Sequence, residues 1–350
     1  MQKITAKTSK IYDIIIDAGL LCECGRCIAD VIHPCKAMIV SDTNVAPIYM
    51  GRVKASLEKS GFETFDFVFP AGEKSKTYAT VYDILTAMAD AKLTRNDIVV
   101  ALGGGVVGDL SGFASAVYMR GIRFVQLPTS LLADIDSSVG GKTGCDMPCG
   151  KNLIGAFHQP ELVLIDTLAL KTLPEKYFND GMGEAIKYGV IRSKRLFDDI
   201  AQRSKDERLD DLISECVDIK CEIVERDETE CGERKLLNFG HTLGHAIEKY
   251  YGFDKYSHGE AVAIGMVMIS AAAARNGFCD KTVSEDIAAV CKKYSLPTEC
   301  DAPLKELIKV CFNDKKRTNG GIDLIVPERI GKCIIRNVAD DQLYDRLKKD

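Results

Sequence analysis

Two patterns in the sequence predict an α/β first half with a mainly parallel sheet, followed by a mostly α-helical second half. Before residue 170, short β-branched runs alternate with stretches of helical period, the order expected when crossover helices connect parallel strands. Beyond Leu173-Pro174 the segments lengthen, and their apolar residues recur three and four positions apart. A length of 350 residues exceeds what one domain usually holds. The expected division is therefore an α/β domain over 1–170 and a helical domain over 171–350, with the boundary near 168–175 and site groups in the cleft between them.

The predicted strands are Lys36–Val40, Thr64–Phe69, Asp97–Leu102, Phe124–Leu127 and Leu162–Ile165. Polar loops follow the first two, Ser41-Asp42-Thr43-Asn44 and Ala71-Gly72-Glu73-Lys74-Ser75-Lys76, at the strand ends where α/β sheets bind ligands. After the third strand, Gly103, Gly105 and Gly108 fit G-x-G-x-x-G. Glycine amides at the start of a helix let a pyrophosphate approach closely, so the first domain is Rossmann-like in expectation. The acidic residue that usually follows about 20 positions later is absent, since Val125–Leu127 holds no carboxylate. A plain strand-to-helix turn fits the glycines alone almost as well.

The stretch Pro128–Gly155 is read as a loop. It combines Asp136, Lys142, Lys151 and Asn152 with hydroxyls and several glycines, a set suited to a phosphorylated polyol. It is not a Walker A loop, because Asp136 stands where the first glycine of G-x-x-x-x-G-K-[ST] would be. In the second half the predicted helices are Gly183–Arg192, Asp210–Arg226, His241–Tyr251 and Gly259–Asn276.

Composition excludes several classes of function. A net charge of −5 gives no global attraction to nucleic acid or an anionic membrane. The longest apolar run, Ala261 to Ala274, falls short of the roughly 18–20 residues that span a bilayer. Met1–Lys10 has no apolar core of a signal peptide, so a cytoplasmic enzyme is expected. The 14 scattered cysteines are read as reduced thiols, and Cys22, Cys24 and Cys27 as fillers and surface thiols rather than a metal cluster.

Three of the five histidines, His241, His245 and His258, fall close together. His241 and His245 share one helical face, but Thr242 replaces the general-base Glu of H-E-x-x-H and rules out that protease chemistry. Glu184, at the start of a helix, is a third candidate ligand. Two imidazoles and a carboxylate leave open positions on a catalytic divalent ion. Lys187, Lys220, Arg234 and Asp314-Lys315-Lys316-Arg317 surround these ligands in sequence. Singly each is explained as surface charge, but together with Lys142 and Lys151 they can neutralise an anionic substrate.

These motifs, in this order, resemble the 3-dehydroquinate synthase family of sugar-phosphate cyclases. The resemblance rests on Gly103–Asp109, Arg120-Gly121, Leu131–Gly144, Gly150–Phe157, Leu173-Pro174, Asp227–Gly232, Leu237–Glu248, His258–Ala263 and Asp314–Lys316. It implies conversion of 3-deoxy-D-arabino-heptulosonate 7-phosphate to 3-dehydroquinate and phosphate, through transient oxidation by NAD, phosphate elimination, re-reduction and an intramolecular aldol closure. Carried over residue by residue, it places one divalent metal, Zn or Co, on Glu184, His241 and His258. It places NAD on Asp42, Asn44, Glu73, Lys76, Gly104, Gly105, Asp109, Thr129, Ser130, Lys151 and Thr172. Substrate falls on Arg120, Asp136, Lys142, Asn152, Lys187, Lys220, Arg234, Asn238 and Lys315. Lys142, Asn152, Lys187 and Arg234 also count as catalytic, and Glu230 and His245 are the proton-transfer candidates. A homodimer is implied. Four positions depart from the family pattern: Ser130 for a second threonine, Asp134 where an uncharged residue is common, and Cys145-Asp146 for Val-Asn. The alternative on the same motifs is an NAD-dependent metal polyol dehydrogenase, which needs the glycines and metal ligands but not the phosphate-binding cations.

Overall fold

The computed structural model describes residues 1–204, 208–312, 317–318, 321–339 and 342–348. They form two compact units, Met1–Pro174 with Leu209–Glu228, and Glu175–Arg208 with Thr229–Asp350.

The first unit contains β1 (Gln2–Lys7), β2 (Ile11–Asp17), β3 (Lys36–Asp42), β4 (Glu63–Phe69), β5 (Ile98–Gly103), β6 (Arg123–Pro128), β7 (Lys142–Met147), β8 (Gly150–Phe157) and β9 (Leu162–Asp166). Its first four helices are α1 (Leu20–Ala29), α2 (Ala46–Lys59), α3 (Tyr78–Asp90) and α4 (Gly105–Val117). Seven strands form one sheet in the order β1-β2-β9-β6-β5-β3-β4, parallel throughout except for the edge pair β1–β2. The apolar runs are unbroken because both sheet faces are covered. Val100 and Leu102 pack with α1 and α2, while Val99 and Ala101 pack with α3 and α4. Helix α4 crosses close to the sheet at Gly108, where an added Cβ would lie 2.6 Å from Gln126 Oε1. All five predicted strands are present. Edge strand β1 and its neighbour β2 escaped notice, and Pro128–Gly155, read as a loop, holds a π-helical turn (Ala133–Ser137) and most of the antiparallel hairpin β7–β8.

The second unit begins with α5 (Glu175–Arg192) and α6 (Lys194–Gln202). The next helix in the chain, α7 (Asp210–Arg226), was placed by the sequence in the second domain but belongs to the first unit. There it packs on β1, with Gln2 Nε2 donating to Asp211 at 2.8 Å and the Lys7 amide donating to Glu225 at 2.8 Å. Helical periodicity gives α7 an apolar face but does not say which sheet covers it. The second unit continues with α8 (His241–Tyr250), α9 (His258–Arg275), α10 (Lys281–Lys293) and α11 (Leu304–Phe312). It then adds the antiparallel strands β10 (Arg317–Thr318), β11 (Gly321–Arg329) and β12 (Lys332–Val338), and ends on α12 (Leu343–Leu347). The β11–β12 hairpin, absent from the helical expectation, docks on α5 through the Gly331 amide and the Val190 carbonyl at 2.9 Å. No helix among the described residues is long and apolar enough to cross a membrane.

All fourteen cysteines are free thiols. Cys24 and Cys27 lie in the core under α1 and Cys22 is exposed, so helical spacing separates the three. Burial pushes the Cys24 thiol up to about 12, which keeps it protonated.

Asp134, in the π-helical turn, is 0% exposed, and neither of its carboxyl oxygens has a hydrogen-bond partner. Burial, and then the neighbouring Asp166 charge, hold its pKa well above the carboxylate range. The folded chain therefore keeps a proton that the unfolded chain releases, and stability falls as pH rises above the ordinary carboxylate pKa. Asp134→Ala is expected to match the parent at pH 4 and to exceed it by about 1–3 kcal/mol at pH 8. Denaturant titrations at the two pH values check this. A gain that is the same at both would show that the carboxyl group is not its source.

Candidate active site

The residues assigned to the nucleotide come from distant parts of the chain and line one edge of the first unit's sheet, beyond the carboxyl ends of its parallel strands. Asp42 ends β3 and Asn44 follows it, Glu73 and Lys76 follow β4, Gly104, Gly105 and Asp109 follow β5, Thr129 and Ser130 follow β6, and Thr172 follows β9. This is the edge at which open α/β sheets bind ligands. Asp42 accepts from the Asn44 and Val45 amides at 2.8 and 3.0 Å, which turns the chain into α2. Thr172 lies 2.6 Å from the Tyr49 hydroxyl. An added Cβ at Gly105 would come within 3.0 Å of Ser137 Oγ, so a side chain at the α4 N-terminus would crowd the π-helical turn.

Lys76 links the nucleotide and substrate sets. Its buried ammonium lies 2.7 Å from both Asp109 and the Asn152 side-chain oxygen. Burial works to lower its pKa, but the Asp109 and Glu73 charges and the Asp109 hydrogen bond outweigh it, so the group is held above its ordinary range and stays charged. Asn152 sits in the left-handed region (φ 53°), held there as its amide donates to Asp146 at 2.7 Å. Lys151 pairs with Glu73 at 3.2 Å. In the same unit, Lys220 of α7 pairs with Asp136 of the π-helical turn. Lys142 is exposed and opens β7 opposite Phe157. Arg120 is not brought to this edge. It follows α4 just before β6, whose first residue pairs with Ile98 at the start of β5, so it lies at the opposite edge of the sheet.

The second unit assembles the metal candidates. Helices α8 and α9 touch at Gly265, where a Cβ would lie 2.1 Å from the Gly240 carbonyl, and α5 touches the start of α9 at Gly259, where a Cβ would lie 2.4 Å from the Asp180 carbonyl. These approaches, with the Ser257 hydroxyl donating to Asp180, bring His241, His258 and Glu184 together. His241 Nε2 and His258 Nε2 lie 3.5 and 3.7 Å from the same Glu184 oxygen, Oε1. Ligand atoms about 2.1 Å from a shared tetrahedral ion are about 3.4 Å apart, so the spacing fits a metal. Glu184 is 0% exposed and also pairs with Lys187, one turn further along α5. His245 stacks on His258 with ring centroids 5.9 Å apart. Nearby, Glu230 (φ 63°) accepts from the Asn238 side chain, and Arg234, on the same 3₁₀ turn as Asn238, is buried. Lys315 lies outside the described residues.

The sequence reading missed Asp146, Asp180 and Glu248. Only Glu248 had a legible signal, since positions 241, 245 and 248 share one face of a helix.

Comparisons with known proteins place the chain in a family. Residues 66–180 match the model of the 3-dehydroquinate synthase N-terminal region, and residues 181–317 that of its C-terminal region. A 3-dehydroquinate synthase of Clostridium perfringens (strain 13 / Type A) is 48% identical over 338 residues, covering 94% of this chain and 96% of that one. One from Streptococcus sanguinis (strain SK36) is 44% identical over 345 residues, 97% of each chain. Among solved structures, 2-epi-5-epi-valiolone synthase from Streptomyces hygroscopicus subsp. jinggangensis 5008, with NAD+ and Zn2+ bound, superposes with a TM-score of 0.88 at 26% identity over 99% of this chain and 98% of that one. The chain belongs to the 3-dehydroquinate synthase family.

Proposed function

We propose that this protein is a 3-dehydroquinate synthase, a phosphate-eliminating cyclase that converts 3-deoxy-D-arabino-heptulosonate 7-phosphate to 3-dehydroquinate and phosphate. The observation that carries the reading is the buried ligand set Glu184, His241 and His258 beside Lys187, in a chain that also orders Lys220 and Arg234. A polyol dehydrogenase needs the ligands but not those cations.

When bound, NAD supplies a reversible hydride acceptor and the divalent ion, Zn²⁺ or Co²⁺, supplies Lewis acidity at the oxygen being oxidised. The side chains do the rest. Asp42, Asn44, Glu73, Gly104, Gly105, Asp109, Thr129, Ser130, Lys151 and Thr172 orient the nucleotide at the sheet edge, and Lys76 ties that edge to Asn152. Lys187 holds its ammonium at the ligand carboxylate, where it stabilises developing negative charge on the substrate oxygen. Lys142, Asn152, Lys220, Arg234, Asn238 and Lys315 bind phosphate and carboxylate, and Asp136 fixes Lys220 and takes substrate hydroxyls. Glu230 and His245 move protons. Phosphate leaves once the neighbouring carbon is acidified, and the ring closes inside the site, where proximity favours the intramolecular aldol step. Arg120 of the same chain stays outside this set because of its place on the opposite edge. The enzyme works in the cytoplasm as a homodimer, on the family resemblance, and sedimentation checks the dimer.

The test counts products. With the heptulosonate phosphate in large excess over NAD⁺, many phosphates are expected per NAD⁺ while the absorbance of reduced nicotinamide stays flat. One reduced nicotinamide per substrate, without phosphate, would replace the cyclase by the polyol dehydrogenase.

A further inference from the structure

Among the described residues, the second unit offers a divalent ion two places, and they share His258. One is Glu184, His241 and His258, and the other is His245, Glu248 and His258. The choice depends on which nitrogen of His258 faces the ion. Its Nε2 lies 3.7 Å from Glu184 Oε1, and its Nδ1 lies 3.4 Å from Glu248 Oε2. His241 is arranged the same way, with Nε2 3.5 Å from that Glu184 oxygen and Nδ1 3.1 Å from the Phe239 carbonyl oxygen. Both imidazoles thus present the same nitrogen to one carboxylate oxygen and rest the other against an acceptor.

We propose that Glu248 is a positioning residue for the metal centre: it accepts the Nδ1–H of His258, which fixes the ring with its Nε2 lone pair toward Glu184, and it is not itself a ligand. An ionised carboxylate only accepts hydrogen bonds, so it selects the Nδ1–H tautomer. Glu248 is 3% exposed and lies on the α8 face that carries His241 and His245. His258 is the first residue of α9, just after the Ser257 cap, so its backbone is fixed by the Ser257–Glu260 capping box, which does not set the orientation of its ring. Glu248 supplies the restraint that the backbone does not. A histidine ligand whose far nitrogen is held in this way binds metal more tightly, and loss of the outer partner typically costs 10–100-fold in affinity.

The proposal rests on the metal reading above, and one series of variants separates the two. Zinc affinity is measured by competition with a chromophoric chelator for the parent, Glu184→Ala, His245→Ala and Glu248→Gln, and the visible spectrum is recorded with cobalt in place of zinc. Glu184→Ala is expected to lose stoichiometric zinc. His245→Ala is expected to keep the parent's affinity. Glu248→Gln is expected to bind one zinc 10–100-fold more weakly and to shift the cobalt bands, a change that loss of packing alone would not produce. Full zinc retention by Glu184→Ala would remove the metal reading itself. With Glu184→Ala metal-free, parent-like affinity and spectrum in Glu248→Gln would overturn the positioning role. Complete zinc loss in both His245→Ala and Glu248→Gln, with Glu184→Ala replete, would make Glu248 a ligand. Should Glu248→Gln fail to fold, Glu248→Asp, which draws the acceptor back by one methylene, is expected to weaken zinc in the same direction, and parent affinity there would equally overturn the proposal.

Discussion

Glu184→Ala is expected to leave the purified protein without stoichiometric metal and to lower kcat/KM by about 10³-fold or more, since Lewis-acid stabilisation of a developing oxyanion amounts to several kcal/mol. The carboxylate is fully buried and one of its oxygens faces both His241 Nε2 and His258 Nε2, so no neighbouring surface acid can take its place. His241→Ala and His258→Ala should behave alike, because three ligands that hold one ion lose it together. The substitution also removes the anion facing Lys187. A buried ammonium deprived of its partner costs about 3–5 kcal/mol, so a drop in thermal stability should accompany the metal loss. Glu184→Gln separates the two effects: it keeps the volume and one carbonyl oxygen but not the charge, and should bind metal poorly while retaining more of the fold. Elemental analysis beside a phosphate-release assay decides the matter. A metal-replete, active Glu184→Ala would show that the ion, if any, sits elsewhere.

The parts of this molecule legible in the sequence are those where a local pattern has one physical cause. The buried strands around Val100 and Val125 read plainly because both faces of the sheet are covered, and the glycine turn at 103–105 read plainly because a helix start against a strand end needs it. What escaped was pairing over distance. The acidic residue sought about 20 positions after the glycines is missing, yet Asp42 ends β3, the strand beside β5, some 60 positions upstream. The sequence already put Asp42 in a polar loop after a strand, and the strand order adds that this strand lies beside β5. Helix α7 was read with correct bounds and the wrong neighbours, since its amphipathic face specifies that something covers it and not what. At the candidate metal site, residue type and spacing already pointed to His241 and Glu184, which the structure brings together with His258; the helical spacing also put Glu248 on the His241–His245 face, but only the fold shows it beside His258 Nδ1. Arg120, carried over with the substrate set, shows the limit of a motif match from the other side, because its sequence does not reveal that within this chain it lies at the opposite end of the parallel strands.

Arg234→Ala is expected to lower kcat/KM for the phosphorylated substrate by about 2–5 kcal/mol, on the order of 30- to 5000-fold, while changing NAD affinity by less than about twofold. The guanidinium is 1% exposed and stands on the 3₁₀ turn that also carries Asn238, the partner of Glu230. A planar fork buried at that point can take a carboxylate or phosphate in two parallel hydrogen bonds, and on the proposed reading its loss would leave a desolvated anion without them. Arg234→Lys keeps the charge but not the fork, so it should recover only part of the rate. Because Arg234 lies in the same unit as Glu184, His241 and His258, metal content serves as the folding control: a variant that keeps one ion per chain and loses rate has lost substrate binding and not its structure. Lys220→Ala tests the same idea from the first unit, where the ammonium pairs with Asp136, and should also spare NAD. The residues proposed to contact NAD crowd the sheet edge around Lys76 and Asp109, and neither Arg234 nor Lys220 is in that proposed set. Nicotinamide binding followed by fluorescence, beside steady-state kinetics, distinguishes the outcomes. Equal losses of NAD and substrate binding in both variants would mean that the cations support the site as a whole, and the division between a nucleotide edge and an anion-binding set would have to be given up.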